Sequence, residues 1–196
     1  MRRTILAFAG LVSAAVLFSS PVSATTGFQI DPLTREPIQA YDEEYRPQAT
    51  AVPRELVSFD ARYAPGTIVI STEERRLYYV TQRGEAIQYG VGVGRPGFEW
   101  SGTRAVTAKK KWPSWTPPAE MLARRPDLPR YMSGGVDNPL GARAMYLGGT
   151  LYRIHGSNEP ETIGQAVSSG CIRMTNDDVE DLYDRVKVGT KVIVLR

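Results

Sequence analysis

Short apolar runs bounded by polar, Gly and Pro positions recur along residues 64–196 and read mostly as strands. "GTIVIST" (66–72) is β-branched, and "RRLYYV" (75–80) is aromatic between polar flanks. "EAIQYGVGVG" (85–94) alternates at Ile87, Tyr89, Val91 and Val93. "TRAVTAKKKW" (103–112), "RAMYLGG" (143–149), "LYRIHG" (151–156) and "KVIVLR" (191–196) continue the series. Side chains of a strand alternate between its faces, so these runs predict strands. The glycines of "GVGVG" predict a strand that another backbone, or a ligand, approaches closely. Helical spacing is rare. "PPAEMLARRPDLP" (117–129) allows about two turns between prolines, a minor helical segment near 117–125. In "TNDDVEDLYDRVKVG", Val179, Leu182, Tyr183 and Val186 share one face, Thr175 or Asn176 can cap the start, and Gly189 is expected to end the helix. The pattern predicts a mainly β sandwich with one short helix after position 175.

The chain has 196 residues, long enough for one domain with a real core. Its first residues, "MRRTILAFAGLVSAAVLFSSPVSA", hold two arginines, a short apolar run and small residues before position 24. These are the marks of a cleavable signal peptide over 1–24. The apolar run is short for the roughly 20 residues of a spanning helix, so no membrane span is expected after cleavage. Residues 25–63 hold four basic and seven acidic residues, scattered prolines and little periodicity, and read as a spacer or lead-in. The domain is assigned to 64–196. Export places it in a periplasm. Residues 64–196 hold 18 basic and 14 acidic residues, and this mild +4 balance suits an acidic wall polymer and is too weak to argue for nucleic acid. "KKKW" (109–112) reads as a solvated strand end.

The chain holds one histidine and one cysteine, His155 and Cys171. A lone thiol in an oxidising compartment forms no internal disulfide, so it is either buried and inert or put to use. A cysteine attacks as thiolate and needs a base or a positive potential. His155 ends an apolar strand, where a sheet holds it rigidly. Cys171 follows Gly170 in "SSGC", where a sharp turn exposes backbone N–H groups of the kind that bind an oxyanion. Arg173 shares a face with Cys171 if the segment is extended; it then holds a carboxylate, steadies the thiolate, or simply pairs with Asp177 or Asp178. Trp112 and Trp115 in "WPSWTPP" either pack a loop or line a groove for an extended ligand. Tyr78, Tyr79 and Tyr89 read as core.

"HGSNEPETIGQAVSSGCIRM" resembles the signature of the L,D-transpeptidases, the YkuD-like catalytic domain: His-Gly, a spacer, then Ser-x-Gly-Cys, a hydrophobic residue and Arg or Asn. "DNPLGARAMYL" and "TNDDVEDLYDRV" are similar to the family as well, so the resemblance covers about 64–196. It implies Cys171 as nucleophile and His155 as general base, steadied by a nearby backbone carbonyl with Gly156 in support. It implies oxyanion N–H groups from Gly170 and Cys171, and a basic position at Arg173. Ser169 stands where many members carry a second histidine. The implied substrate is a peptidoglycan stem tetrapeptide, in wall biosynthesis that shapes the cell. Cys171 attacks the carbonyl of the third residue, releases D-alanine and forms a thioester, and a second stem's amine resolves it into a 3→3 cross-link. No metal and no organic cofactor is implied.

Three alternatives remain at this level. Water resolves the thioester in an L,D-carboxypeptidase or a wall hydrolase. An outer-membrane protein serves as acceptor in an attachment enzyme. A non-catalytic wall-binding module keeps the fold without the chemistry. Papain-like peptidases fit less well, because they place Cys before His in the chain.

Overall fold

The computed structural model describes residues 52–196. The expected signal peptide (1–24) and the first part of the lead-in (25–51) lie outside the described residues. The strands are β1 (Glu55–Ser58), β2 (Ile68–Ser71), β3 (Arg76–Gln82), β4 (Glu85–Gly90), β5 (Val93–Gly94), β6 (Gly102–Lys111), β7 (Arg143–Leu147), β8 (Arg153–His155), β9 (Ala166–Ser168), β10 (Ile172–Arg173) and β11 (Lys191–Leu195). The helices are α1 (Ala119–Arg124) and α2 (Asn176–Arg185), and a 3-10 turn covers Pro160–Thr162.

The fold is mainly β. One sheet runs in the order β1-β4-β3-β2-β11-β6-β7-β8-β10, and β5 pairs with β9 beside it. β2 and β11 are parallel at its centre, with Ile68 opposite Val192. Ile68, Val69 and Ile70 are all buried, as in a strand covered on both faces. The long β6 joins two halves of the sheet. Its first residues pair with β11 (Thr103 opposite Ile193), and the rest pair with β7 after a register shift between Val106 and Ala108. Ile70, Leu77 and Tyr89 from one half meet Met145, Leu147, Ile154 and Ile172 from the other in one core. Val179 and Leu182 of α2, and Val186 just past its end, pack into that core on the face their spacing predicts.

Several elements differ from expectation. The ordered sheet begins before residue 64: β1 pairs with β4, Leu56 opposite Ile87. Phe59 stacks on Tyr78 at 4.6 Å, so Tyr78 lies under this corner, not in the core. The strand expected over 85–94 stops at Gly90, because Val93–Gly94 turns to pair with β9. Tyr89 is fully buried and its hydroxyl donates to Asp181 Oδ2 at 2.6 Å. Thr175 caps α2, its Oγ1 accepting from Asp178 N at 3.2 Å. The helix stops at Arg185; Gly189, at φ +95°, instead makes the turn into β11.

Lys109 corrects the reading of "KKKW" as a solvated strand end. Its ammonium donates to the carbonyls of Tyr183 and Val186 and lies 4.0 Å from the Tyr183 ring centroid. A cation on the last carbonyls of a helix satisfies orphan acceptors and complements the dipole. Partial burial pushes its pKa down, but Asp184 opposes that shift. Lys109→Met keeps the stem and removes the charge. It is expected to lower unfolding stability by about 1–2 kcal/mol, read from urea denaturation at neutral pH. An unchanged midpoint means that the stem alone does the packing.

Candidate active site

The site is built on the parallel pair β8–β10, with Ile154 opposite Ile172 and His155 opposite Arg173. Ile154 and Ile172 are buried in the core. Strand alternation puts Arg153, His155 and Arg173 on the other face, and Cys171, one step before β10, shares it. The 15 residues between His155 and Cys171 make the crossover between two adjacent strands. Its far end is tied down by β9 against β5.

Gly92 shows what approaches the glycine-rich strand end: the backbone of Arg173. Gly92 N donates to Arg173 O at 2.9 Å and Arg173 N to Gly92 O at 2.9 Å. A Cβ at Gly92 would press on Thr162 O at 3.0 Å and on Arg173 Cβ at 3.3 Å.

His155 is buried, and its Nδ1 lies 2.6 Å from Gly156 O. A carbonyl only accepts, so the neutral ring carries its proton on Nδ1 and leaves a lone pair on Nε2. Gly156 is itself fixed. Its N–H donates to Arg143 O at 3.0 Å, and a Cβ on it would run into Asn176 Oδ1. Asn176 Oδ1 accepts from Ala142 N at 2.9 Å and closes the same space from the helix side. Gly141, at φ +61°, leaves room for Ser157 N there. Burial first, then the positive charge of Arg173, pushes the imidazole pKa down to about 3, against the Gly156 carbonyl. His155 is therefore neutral at physiological pH, the state a base requires.

Cys171 is half-buried, and its Sγ lies 4.0 Å from Leu151 O. Burial pushes its thiol pKa up, while Arg153 and then Arg173 pull it down. Burial thus favours the neutral form of both groups, a thiol and an imidazole.

The loop before Cys171 is braced by groups that sequence reasoning missed. Ser168 is buried; its hydroxyl donates to Cys171 O at 2.6 Å and accepts from Gly170 N at 3.1 Å. This corrects the expectation that Gly170 N–H faces the substrate: the hydroxyl beneath it has taken it. No hydrogen bond among the described residues uses Cys171 N–H. Trp100 Nε1 donates to Gly170 O at 2.8 Å and its ring stacks on Tyr152 at 4.8 Å. Ser169 is half-buried beside this brace.

Arg173 does not pair with Asp177 or Asp178. Its Nη1 donates to Glu159 Oε2 at 2.9 Å and tethers the crossover. Trp112 is 45% exposed, and its N–H donates to Ala142 O at 2.8 Å. Lys110, Ala144 and His155 form one row across the sheet, and Trp112, at φ +43°, follows one residue past the end of β6. Trp115 pairs with Met132 inside the long excursion between β6 and β7, rather than with the His155–Cys171 ladder. Among the described residues no group of three or more His, Cys, Asp or Glu is placed to hold a metal, and no helix is long and apolar enough to cross a membrane.

The family model for the L,D-transpeptidase catalytic domain, YkuD, matches residues 65–194. The chain belongs to the L,D-transpeptidase catalytic-domain family. It is 39% identical over 135 residues to the probable L,D-transpeptidase ErfK/SrfK of Escherichia coli (strain K12), covering 65% of this chain and 43% of that protein. It is 38% identical over 149 residues to the probable L,D-transpeptidase YbiS of the same organism, covering 72% and 47%. The chain thus spans less than half the length of these curated relatives. An L,D-transpeptidase from Mycobacterium smegmatis shares the fold at TM-score 0.53 and 22% identity, over 66% of this chain and 58% of that one. The catalytic domain of the E. faecium L,D-transpeptidase does so at TM-score 0.51 and 21% identity, over 66% and 95%.

Proposed function

We propose that this L,D-transpeptidase-family chain is an exported peptidoglycan L,D-transpeptidase with Cys171 as nucleophile and His155 as general base. The observation that carries this reading is the β8–β10 ladder. It brings the chain's single His and single Cys to one face of one sheet edge and leaves Nε2 of His155 as a free lone pair.

His155 Nε2 takes the Cys171 proton as Sγ attacks the carbonyl of the third stem residue. Cys171 N–H meets the oxyanion. The amine of D-alanine leaves with the proton held on Nε2, and a thioester remains. An amine of a second stem attacks the thioester, its proton passes to Nε2 and then to the departing sulfur, and a 3→3 cross-link forms. Arg173, paired with Glu159, steadies the crossover, and Trp112 offers an exposed ring just past the end of β6.

The test sets the purified mature protein beside Cys171→Ala, each given a disaccharide-tetrapeptide, with products read by mass spectrometry. Cys171-dependent loss of D-alanine together with tetrapeptide–tripeptide dimers is expected. Tripeptide without dimers would assign water, or an outer-membrane protein missing from the tube, as the acceptor. Product from folded Cys171→Ala equal to wild type would overturn the nucleophile, and no product from either would favour a wall-binding module.

A further inference from the structure

Arg173 is committed to Glu159, yet a second arginine shares a carbonyl with the thiol. Arg153 opens β8, two residues before His155 and on its face. The register that sets Ile154 opposite Ile172 sets Arg153 opposite Cys171. Arg153 Nη1 donates to Leu151 O at 3.1 Å, and Cys171 Sγ lies 4.0 Å from the same oxygen. Guanidinium and sulfur therefore sit within about 7 Å of one another, on a shared carbonyl. The guanidinium lies over the Tyr146 ring, 5.2 Å from its centroid, which limits its movement. Its Nε is buried and has no hydrogen-bond partner. A buried donor without an acceptor costs stability, so its retention beside a nucleophile calls for a group that arrives during the reaction.

We propose that Arg153 is a further catalytic residue, the cation that balances negative charge on Cys171 Sγ once His155 has taken its proton. In the resting thiol there is no charge to balance, and Nε waits. When the S–H bond breaks and the proton passes to His155 Nε2, the thiolate becomes the acceptor that Nε lacks. When the C–S bond forms, the charge moves to the carbonyl oxygen and Nε is released again. The pull of Arg153 on the thiol equilibrium runs in the required direction. This inference rests on Cys171 being the nucleophile.

The experiment follows iodoacetamide alkylation of Cys171 from pH 6 to 10.5 in the full chain. Wild type is compared with Arg153→Met, which keeps a stem on Tyr146 without charge, and with Arg153→Lys. Removing the charge is expected to move the alkylation midpoint up by about one pH unit and slow alkylation near pH 7 about tenfold. The limiting rate at high pH should stay unchanged, and Arg153→Lys should restore most of the shift. A purely structural role would lower the limiting rate or the melting temperature and leave the midpoint in place. An unchanged midpoint in folded Arg153→Met overturns the proposal. If Arg153→Met does not fold, a wild-type midpoint that fails to rise between low and 1 M salt, with Arg153→Lys equal to Arg153→Met in folding, overturns it as well. Alkylation needs no peptidoglycan. A shifted midpoint with activity retained in Cys171→Ala would therefore refute the nucleophile and not the electrostatic pairing.

Discussion

His155→Gln is expected to slow Cys171-dependent release of D-alanine by about 10²- to 10⁴-fold, the usual yield of a positioned general base. The thiol pKa is pushed up by burial, so without Nε2 the sulfur has to ionise into a site that resists charge. Stopped-assay mass spectrometry of the thioester gives the rate directly. A loss below tenfold, with the fold intact, would remove His155 from the role of base. The same variant carries a second signature. The folded protein holds His155 neutral down to about pH 3, whereas the unfolded chain protonates it near the ordinary value of 6.5. Between those values the unfolded state binds the extra proton, so folding stability falls as pH drops through that window. The slope reaches at most about 1.4 kcal/mol per pH unit. Above pH 6.5 the residue contributes no pH dependence. Urea midpoints at pH 7 and pH 4.5 should therefore converge for wild type and His155→Gln as acid is added, since Gln has no proton to gain. Parallel losses in the two proteins would mean that the imidazole is hydrated in the folded state.

Gly170→Ala should damage both structure and chemistry. Gly170 sits at φ +101°, a region where a side chain is strained. A Cβ there would run into the Tyr152 ring, which cannot yield because Trp100 stacks on it and holds Gly170 O. Backbone strain and overpacking together put the cost on the order of 4 kcal/mol. For a domain of this size that is a fall of about 10 °C in Tm. Cys171 follows in the chain, so its carbonyl would leave the Ser168 hydroxyl, and alkylation of the thiol should change with it. Calorimetry with parallel alkylation checks both. A Tm within about 2 °C of wild type would show that Tyr152 and Trp100 move aside together.

Much of this was legible in the sequence. The β-branched run at 66–72, the aromatic run at 75–80 and the apolar run at 143–149 located β2, β3 and β7, because such side chains fit a pleated, buried surface. The spacing of Val179, Leu182 and Val186 found the buried face of α2. The uniqueness of His155 and Cys171, with the motif around them, pointed to the chemistry before any geometry. Other features left no local trace. β9 and β10 hold three and two residues, too few for a period to appear. Lys109 looks solvated in "KKKW" and becomes a helix cap only when α2 ends beside it, 74 residues on. Ser168 and Trp100 carry no local signal of their part, which appears only where the turn at Gly170 closes onto them. Arg153 sits in plain view in "LYRIHG", but its relation to Cys171 exists only through the parallel register of β8 and β10. The sequence by itself determined the strand-rich class and the amphipathic helix, and it singled out His155 and Cys171 as the candidate pair, since these follow from residue type and short-range period. Tertiary structure decided which arginine pairs with Glu159, which N–H of the Gly170 turn is taken by Ser168 and how burial shifts the imidazole and the thiol. Each of those depends on burial and on partners far apart in the chain, which only packing brings together.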